Sequence, residues 1–201
     1  MKALRQTDPR AVVVAVHHPP LSADAKHGGS LGIQKDIDSC CEKAGLWPDL
    51  LLSGHAHLYQ RFTRTVAKAG NRKTPYLVAG SGGFAATPPM ARLPPAPVKV
   101  GDHTLDIDPI IAFGYLTLET DGRTLTAVFK TADKKGVTQR DSVTVDIEKG
   151  TITSKPSRAP AKPKQPAAPA KRKAAPKKTR STAKTAAPKR KAPATRKTSR
   201  R

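Results

Sequence analysis

The chain has no acidic residue after Glu148 and few aromatic residues anywhere. From residue 155 to residue 201 it carries 18 of its 37 Lys and Arg residues, together with eight prolines and no aromatic side chain. Such a segment cannot bury enough apolar surface to offset its ordering entropy. We therefore predict that residues 151 to 201 form a disordered tail rich in Lys, Ala and Pro. All 15 acidic residues lie upstream among 19 basic ones, so the net charge of +22 comes mainly from the tail.

Cysteine and long apolar runs are also scarce. The two cysteines, Cys40 and Cys41, are adjacent, and neighbours in sequence rarely reach unstrained disulfide geometry. Free thiols favour a reducing compartment. The valine-rich run at residues 11 to 16 is much shorter than the roughly 20 apolar residues that span a membrane, and too short for the core of a signal peptide. The sequence as given therefore favours a cytoplasmic location without a membrane span.

The charge of the tail indicates a class of partner. Its basic clusters, such as residues 171 to 173 and 189 to 191, can pair with phosphates and release counterions, which gives salt-sensitive and sequence-independent binding. We predict that Lys155 to Arg201 bind nucleic acid or another polyanion without sequence preference. The alternative is a solubilising extension that has no partner.

Apolar runs and turn signals predict an α/β organisation for residues 1 to 150. We predict strands at residues 11–16, 49–52, 58–66, 74–79, 111–119, 123–130 and 143–147, and a helix at residues 31–44 that ends at Gly45. Asp121-Gly122 is a strong hairpin signal. Residues 84 to 109 contain six prolines and little periodicity, which predicts a long loop.

Histidines stand where two of the predicted strands end. The first strand runs into His17 and His18, and the second ends at Gly54, which is followed by His55 and His57. Sites form at the carboxyl ends of strands in open α/β sheets, and a glycine can bend the chain so that both later imidazoles face one place. Because imidazole binds zinc, iron and manganese, the sequence predicts a metal site.

The order HHPP, KHGGS, a helix, PDLLLSGHAHLYQRF and YLVAGSGG resembles the carboxyl-terminal half of calcineurin-like metallophosphoesterases, closest to the purple acid phosphatase-like branch. The resemblance covers roughly residues 10 to 147. It implies an αββα sandwich of mixed sheets with a flanking helix, a dinuclear centre of iron, manganese or zinc, and hydrolysis of phosphate monoesters or diesters. By matching positions, His17, His55 and His57 resemble the metal ligands. His27 resembles a catalytic residue that contacts the phosphate and protonates the leaving group.

The motifs that supply the family's other ligands are absent from this chain. They are Asp-x-His, Gly-Asp-x-x-Asp and Gly-Asn-His, and the family carries them in its upstream half. We therefore expect a missing amino-terminal half as a partner, and at most weak hydrolysis by this chain alone. The alternative is a catalytically inactive fragment whose basic tail binds nucleic acid or other polyanions.

Other polar residues are left with open or minor roles. His18 either supports the ligands or faces the substrate. Arg61 is either a phosphate contact or a surface residue, and Asp38 is interpreted as a solvated helix position. A further set of oxygen and nitrogen ligands lies in the long loop, at Asp102, His103, Asp106 and Asp108. We disfavour this set, because the family that the chain resembles takes its carboxylates from upstream strands.

Overall fold

The computed structural model describes residues 10 to 83 and 88 to 154. These ranges contain one α-helix, ten strands and a short 3-10 turn at Ala67–Ala69. The elements are β1 (Val13–Val16), α1 (Leu31–Ala44), β2 (Leu50–Ser53), β3 (Tyr59–Val66), β4 (Arg72–Ala79), β5 (Val98–Val100), β6 (His103–Leu105), β7 (Gly114–Thr120), β8 (Thr124–Asp133), β9 (Gly136–Asp146) and β10 (Thr151–Ser154).

The strands form two sheets. The larger has six strands in the order β1-β2-β4-β3-β6-β5, with β1, β2 and β4 parallel and the remaining pairs antiparallel. The smaller is antiparallel throughout, in the order β10-β9-β8-β7. The protein is thus a mixed α/β fold with two sheets, as predicted. The hairpin at Asp121-Gly122 connects β7 and β8, as the sequence indicates.

The main core lies between the two sheets. Tyr59 of β3 stacks on Phe129 of β8, with ring centroids 4.0 Å apart and planes 3° from parallel. Leu77 and Val143 are buried in the same cluster. Burying each of these side chains contributes about 1.5–3 kcal/mol, so the contact between the sheets is a principal source of stability.

Helix α1 covers the other face of the larger sheet. Ser30 caps its first turn by accepting a hydrogen bond from the Ile33 amide, and Gly45 ends it in the left-handed conformation at φ 59°. Ile37 and Cys41 pack onto the sheet, whereas Leu31 is 71% exposed. Leu31 therefore lies off the buried face of the helix. No helix in the described part of the chain is long and apolar enough to cross a bilayer.

Two features differ from the expectations from sequence. The predicted loop at residues 84 to 109 contains β5 and β6, each only three residues long, which is too short for an alternating pattern to show. The predicted tail begins too early, because Ile152 pairs with Val145 and makes residues 151 to 154 a strand. The rest of the predicted disordered tail, residues 155 to 201, lies outside the described residues. Both cysteines are free thiols, as expected.

Candidate metal centre

The ends of β1 and β2 lie side by side at one edge of the larger sheet. The two strands are parallel and in register, with Val16 opposite Ser53. One further hydrogen bond continues the pairing, from the Gly54 amide to the His17 carbonyl at 3.1 Å. The parallel register therefore brings the histidine segments that follow the two strands together, as predicted.

The turn after β2 bends at a histidine. His55 has φ 63°, whereas the predicted bend at Gly54 needs no positive φ. A non-glycine residue in this region costs roughly 1–2 kcal/mol, and such strain is concentrated at functional sites. Short bonds hold the turn, from Ala56 N to Gly54 O at 2.7 Å and from Leu58 N to Ala56 O at 2.8 Å. Gly80 fits beneath it, because a Cβ there would lie 2.1 Å from the Ala56 oxygen.

Three imidazoles meet at this edge. His17, His18 and His55 each offer a ring nitrogen, and these atoms all lie within 4.8 Å of one another. His55 Nδ1 is 3.2 Å from His17 Nε2, and the rings of His18 and His55 are 4.2 Å apart. We call these three residues the imidazole cluster. Its member His18 was not predicted as a ligand, although the His-His doublet at the end of a strand was a visible signal.

Of the other two predicted site histidines, His27 lies next to the cluster and His57 lies next to His27. The ring centroid of His27 lies 4.5 Å from that of His55 and 5.7 Å from that of His57. His57 is not among the nitrogen ligands that lie within 4.8 Å of one another. The structure thus brings His17 and His55 together and places His57 beside His27, and a ligand role for His57 remains a prediction.

The composition of the cluster decides which metal centre it fits. The pKa of His55 is lowered, first by desolvation and then by the neighbouring imidazoles of His18, His27 and His17. The lower pKa favours the neutral ring that binds metals. Three imidazoles with an open position suit a single ion such as zinc. Two adjacent cations need a bridging carboxylate, and no carboxylate of the described residues belongs to the cluster. The cluster therefore fits one ion and does not fit the dinuclear centre that the resemblance implies.

The disfavoured oxygen and nitrogen set of the long loop makes internal pairs. Asp102 lies 2.7 Å from Arg64 and 2.6 Å from His103. Asp106 accepts hydrogen bonds from Arg61 at 2.9 Å and Thr63 at 2.7 Å. These carboxylates are neutralised within the fold, so they do not form a cation site.

Two interpretations of surface residues are wrong. Arg61 is 2% exposed and pairs with Asp141 at 2.7 Å, which leaves it no access to a substrate. Asp38 is not simply solvated, because both of its oxygens accept from Arg64, at 2.5 and 2.9 Å. Partners so distant in sequence cannot be found from local patterns, which explains both errors.

An apolar cavity of about 460 Å³ opens beside the cluster. It lies between β1 and α1, and Val14, Ile33 and Ile37 are among its walls. His17 and His18 contribute to the same wall and are exposed. A ligand can therefore reach the imidazoles from solvent without any movement of the fold.

Comparison with known proteins assigns the chain to no family. No protein-family model matches the chain, and no curated protein matches it. A purple acid phosphatase, PPD1 from yellow lupin (Lupinus luteus) seeds, is 18% identical over 72% of this chain, with a TM-score of 0.47. GAP50, the anchor in the inner membrane complex of Plasmodium, is 14% identical over 73% of this chain, with a TM-score of 0.34. The chain spans 27% and 36% of these two structures, respectively. Neither likeness assigns a role to a residue of this chain.

Proposed function

We propose that the imidazole cluster binds one divalent metal ion and that this centre hydrolyses phosphate esters. The observation that carries the proposal is the convergence of His17, His18 and His55, from two separate strand ends, within 4.8 Å of one another. The resemblance of the HHPP, KHGGS and GHAH segments to metallophosphoesterases supplies the reaction type. The strained backbone of His55 supports a functional rather than a structural turn.

In this proposal the histidines have two roles, metal binding and contact with the substrate. The three imidazoles would hold the ion. His27, which lies beside His55, and His57, which lies beside His27, would face the phosphate oxygens. A bound divalent ion lowers the pKa of a bound water toward ~7 and stabilises charge on phosphoryl oxygens. Because the cluster includes no carboxylate, a centre of this kind is cationic and attracts anionic esters. Its openness to solvent favours a slow reaction.

Hydrolysis of 4-nitrophenyl phosphate by the full-length chain tests the proposal. We expect weak activity that depends on added zinc, manganese or iron, and that falls at least ~10-fold in the His17→Ala variant. The matched control is His103→Gln, which removes the histidine that lies outside the site, with folding checked by circular dichroism. Activity that is unaffected by a chelator or by His17→Ala would contradict the proposal.

We also propose that Lys155 to Arg201 bind polyanions. The observation that favours this second function is the concentration of 18 basic residues and no acidic one in that segment. Contacts between Lys or Arg and phosphates release counterions, so the logarithm of the binding constant should fall with the logarithm of salt by about 0.9 per contact.

Deletion of residues 155 to 201 separates the two functions. We expect affinity for duplex DNA at ~100 mM salt to fall at least ~10-fold, while any hydrolysis by the residues upstream stays unchanged. A tail of equal length with every Lys and Arg replaced by Gln is the control for chain length, and fluorescence anisotropy is the measurement. DNA binding that survives the deletion, or is insensitive to salt, would rule out the electrostatic account.

A further inference from the structure

The loop between β1 and α1 contains a buried carboxylate that the sequence did not single out. Asp24 is 4% exposed. One of its oxygens accepts from the amides of Lys26 at 2.8 Å and His27 at 2.7 Å, and the other accepts from the Ser22 hydroxyl at 2.6 Å and the Gly28 amide at 3.2 Å. Burial alone would raise the pKa of Asp24, but the hydrogen bonds from Ser22, His27 and Lys26 lower it to about 2. The carboxylate is therefore ionised at neutral pH.

The same carboxylate contacts the ring of His27. Asp24 Oδ1 lies 3.1 Å from His27 Nδ1. Because an ionised carboxylate only accepts hydrogen bonds, Nδ1 must carry a proton and donate it. Nε2, on the far side of the ring, is then the nitrogen left for the neighbouring histidines. Such carboxylate partners fix the tautomer and the orientation of functional imidazoles.

The segment that presents Asp24 is held from both sides. The buried Gln60 side chain accepts from the Ala23 amide at 2.6 Å and donates to the Ser22 hydroxyl at 2.7 Å. On the other side the Ala25 amide donates to the Pro88 carbonyl at 3.0 Å. Two fixed neighbours determine the position of Asp24, so the carboxylate can in turn determine the position of a ring.

We propose that Asp24 is a positioning residue, which holds His27 with its proton on Nδ1 and thereby directs His27 Nε2 at the phosphate ester beside the imidazole cluster. The part of this proposal that places Nε2 at an ester rests on the proposed function. The part that concerns the tautomer of His27 does not. Either protonation state of the ring presents Nε2, because Nδ1–H is already committed to Asp24. Without Asp24 the ring can turn over or exchange tautomers, and the nitrogen that faces the substrate is no longer fixed.

The tautomer can be measured directly in the full-length, metal-free chain. Long-range ¹H–¹⁵N spectra at about pH 8, where imidazoles are mostly neutral, distinguish the two tautomers, and His27→Gln identifies the signals of His27. We expect the Nδ1–H form in the wild type. In Asp24→Asn a charge-assisted bond becomes a neutral one, so the ratio of Nδ1–H to Nε2–H should fall by ~10-fold. Asp133→Asn, which alters an exposed carboxylate that also accepts a backbone amide two residues on, should leave the ratio unchanged.

The outcomes separate this inference from the proposed function. A wild-type His27 in the Nε2–H form, or a ratio unaffected by Asp24→Asn, would overturn the positioning role, and the wild-type result stands even if the variant unfolds. Inorganic phosphate is the second probe, and it should shift His27 Nε2 more than the ring nitrogens of His103. If His27 has the expected tautomer but phosphate does not shift its Nε2 signal, the part of the proposal that places Nε2 at the ester is overturned. Loss of hydrolysis alone would bear only on the proposed function.

Discussion

Replacing His55 with glycine should weaken zinc binding by the full-length chain at least ~100-fold. Loss of a neighbour that merely supports a metal ligand already costs about 10–100-fold in affinity, so loss of one of three ligands should cost at least the upper figure. His17→Ala and His18→Ala should have effects of the same size, because the three nitrogens lie within 4.8 Å of one another. Competition with a chromophoric chelator measures the dissociation constant, and the stoichiometry should be one zinc per chain.

The choice of glycine separates ligation from folding. His55 has φ 63°, a conformation that glycine adopts without strain. The free energy of unfolding of the metal-free chain should therefore stay constant or rise by ~1 kcal/mol in His55→Gly. A variant that binds no zinc yet is at least as stable as the wild type has lost the ligand and not the fold.

His57→Ala is the decisive comparison for the ligand set. The resemblance makes His57 a ligand, whereas the geometry puts His18 with His17 and His55. We expect His57→Ala to change zinc affinity less than ~3-fold, because the ring nitrogens of His57 are not among those that lie within 4.8 Å of one another. His103→Gln is the matched control for the loss of one histidine. A large effect of His57→Ala with a small effect of His18→Ala would show that the assignment from sequence is the correct one.

Local signals predicted the elements that position the site. Valine-rich β1 and the run before Ser53 were recognisable as strands, and Gly45 marked the end of α1. The convergence of the two histidine segments followed from the rule that parallel strands end at one edge. These predictions succeeded because each depends on residues that are close in sequence or on a general property of parallel sheets.

Contacts between distant residues account for what the sequence did not predict. Asp24 belongs to no periodic pattern, and its importance depends on burial and on five hydrogen-bond donors that only the folded loop brings together. Asp141 is 80 residues from its partner Arg61, so neither residue indicates the other. The bend was assigned to Gly54 because local propensity favours glycine, whereas in the structure His55 has the positive φ and Gly80 lies beneath the turn.

The pair formed by Arg61 and Asp141 connects the two sheets within the core. Arg61, on β3, donates from Nε to Asp141, on β9, at 2.7 Å, and its Nη1 donates to Asp106 at 2.9 Å. Arg61 is 2% exposed and Asp141 0% exposed. Burial, and then the Asp141 carboxylate, raise the pKa of Tyr59 well above its usual value, so its hydroxyl stays protonated and donates to Asp141 at 2.8 Å. The charge of Arg61 is thus balanced entirely inside the protein.

Replacing Asp141 with leucine should lower the free energy of unfolding by about 3–5 kcal/mol, because it leaves a buried guanidinium short of one partner. Urea unfolding followed by circular dichroism measures the loss. The double variant Arg61→Met with Asp141→Leu should be more stable than Asp141→Leu alone, since the guanidinium that has lost its closest partner is also removed, while the more exposed Asp106 keeps its hydrogen bond from Thr63. We expect a coupling energy of about 2 kcal/mol between Arg61 and Asp141. The exposed control Asp133→Asn should change the free energy of unfolding by less than ~0.5 kcal/mol. Additive single and double variants would mean that water reaches Arg61, and that packing between the sheets, rather than this ion pair, holds β3 against β9.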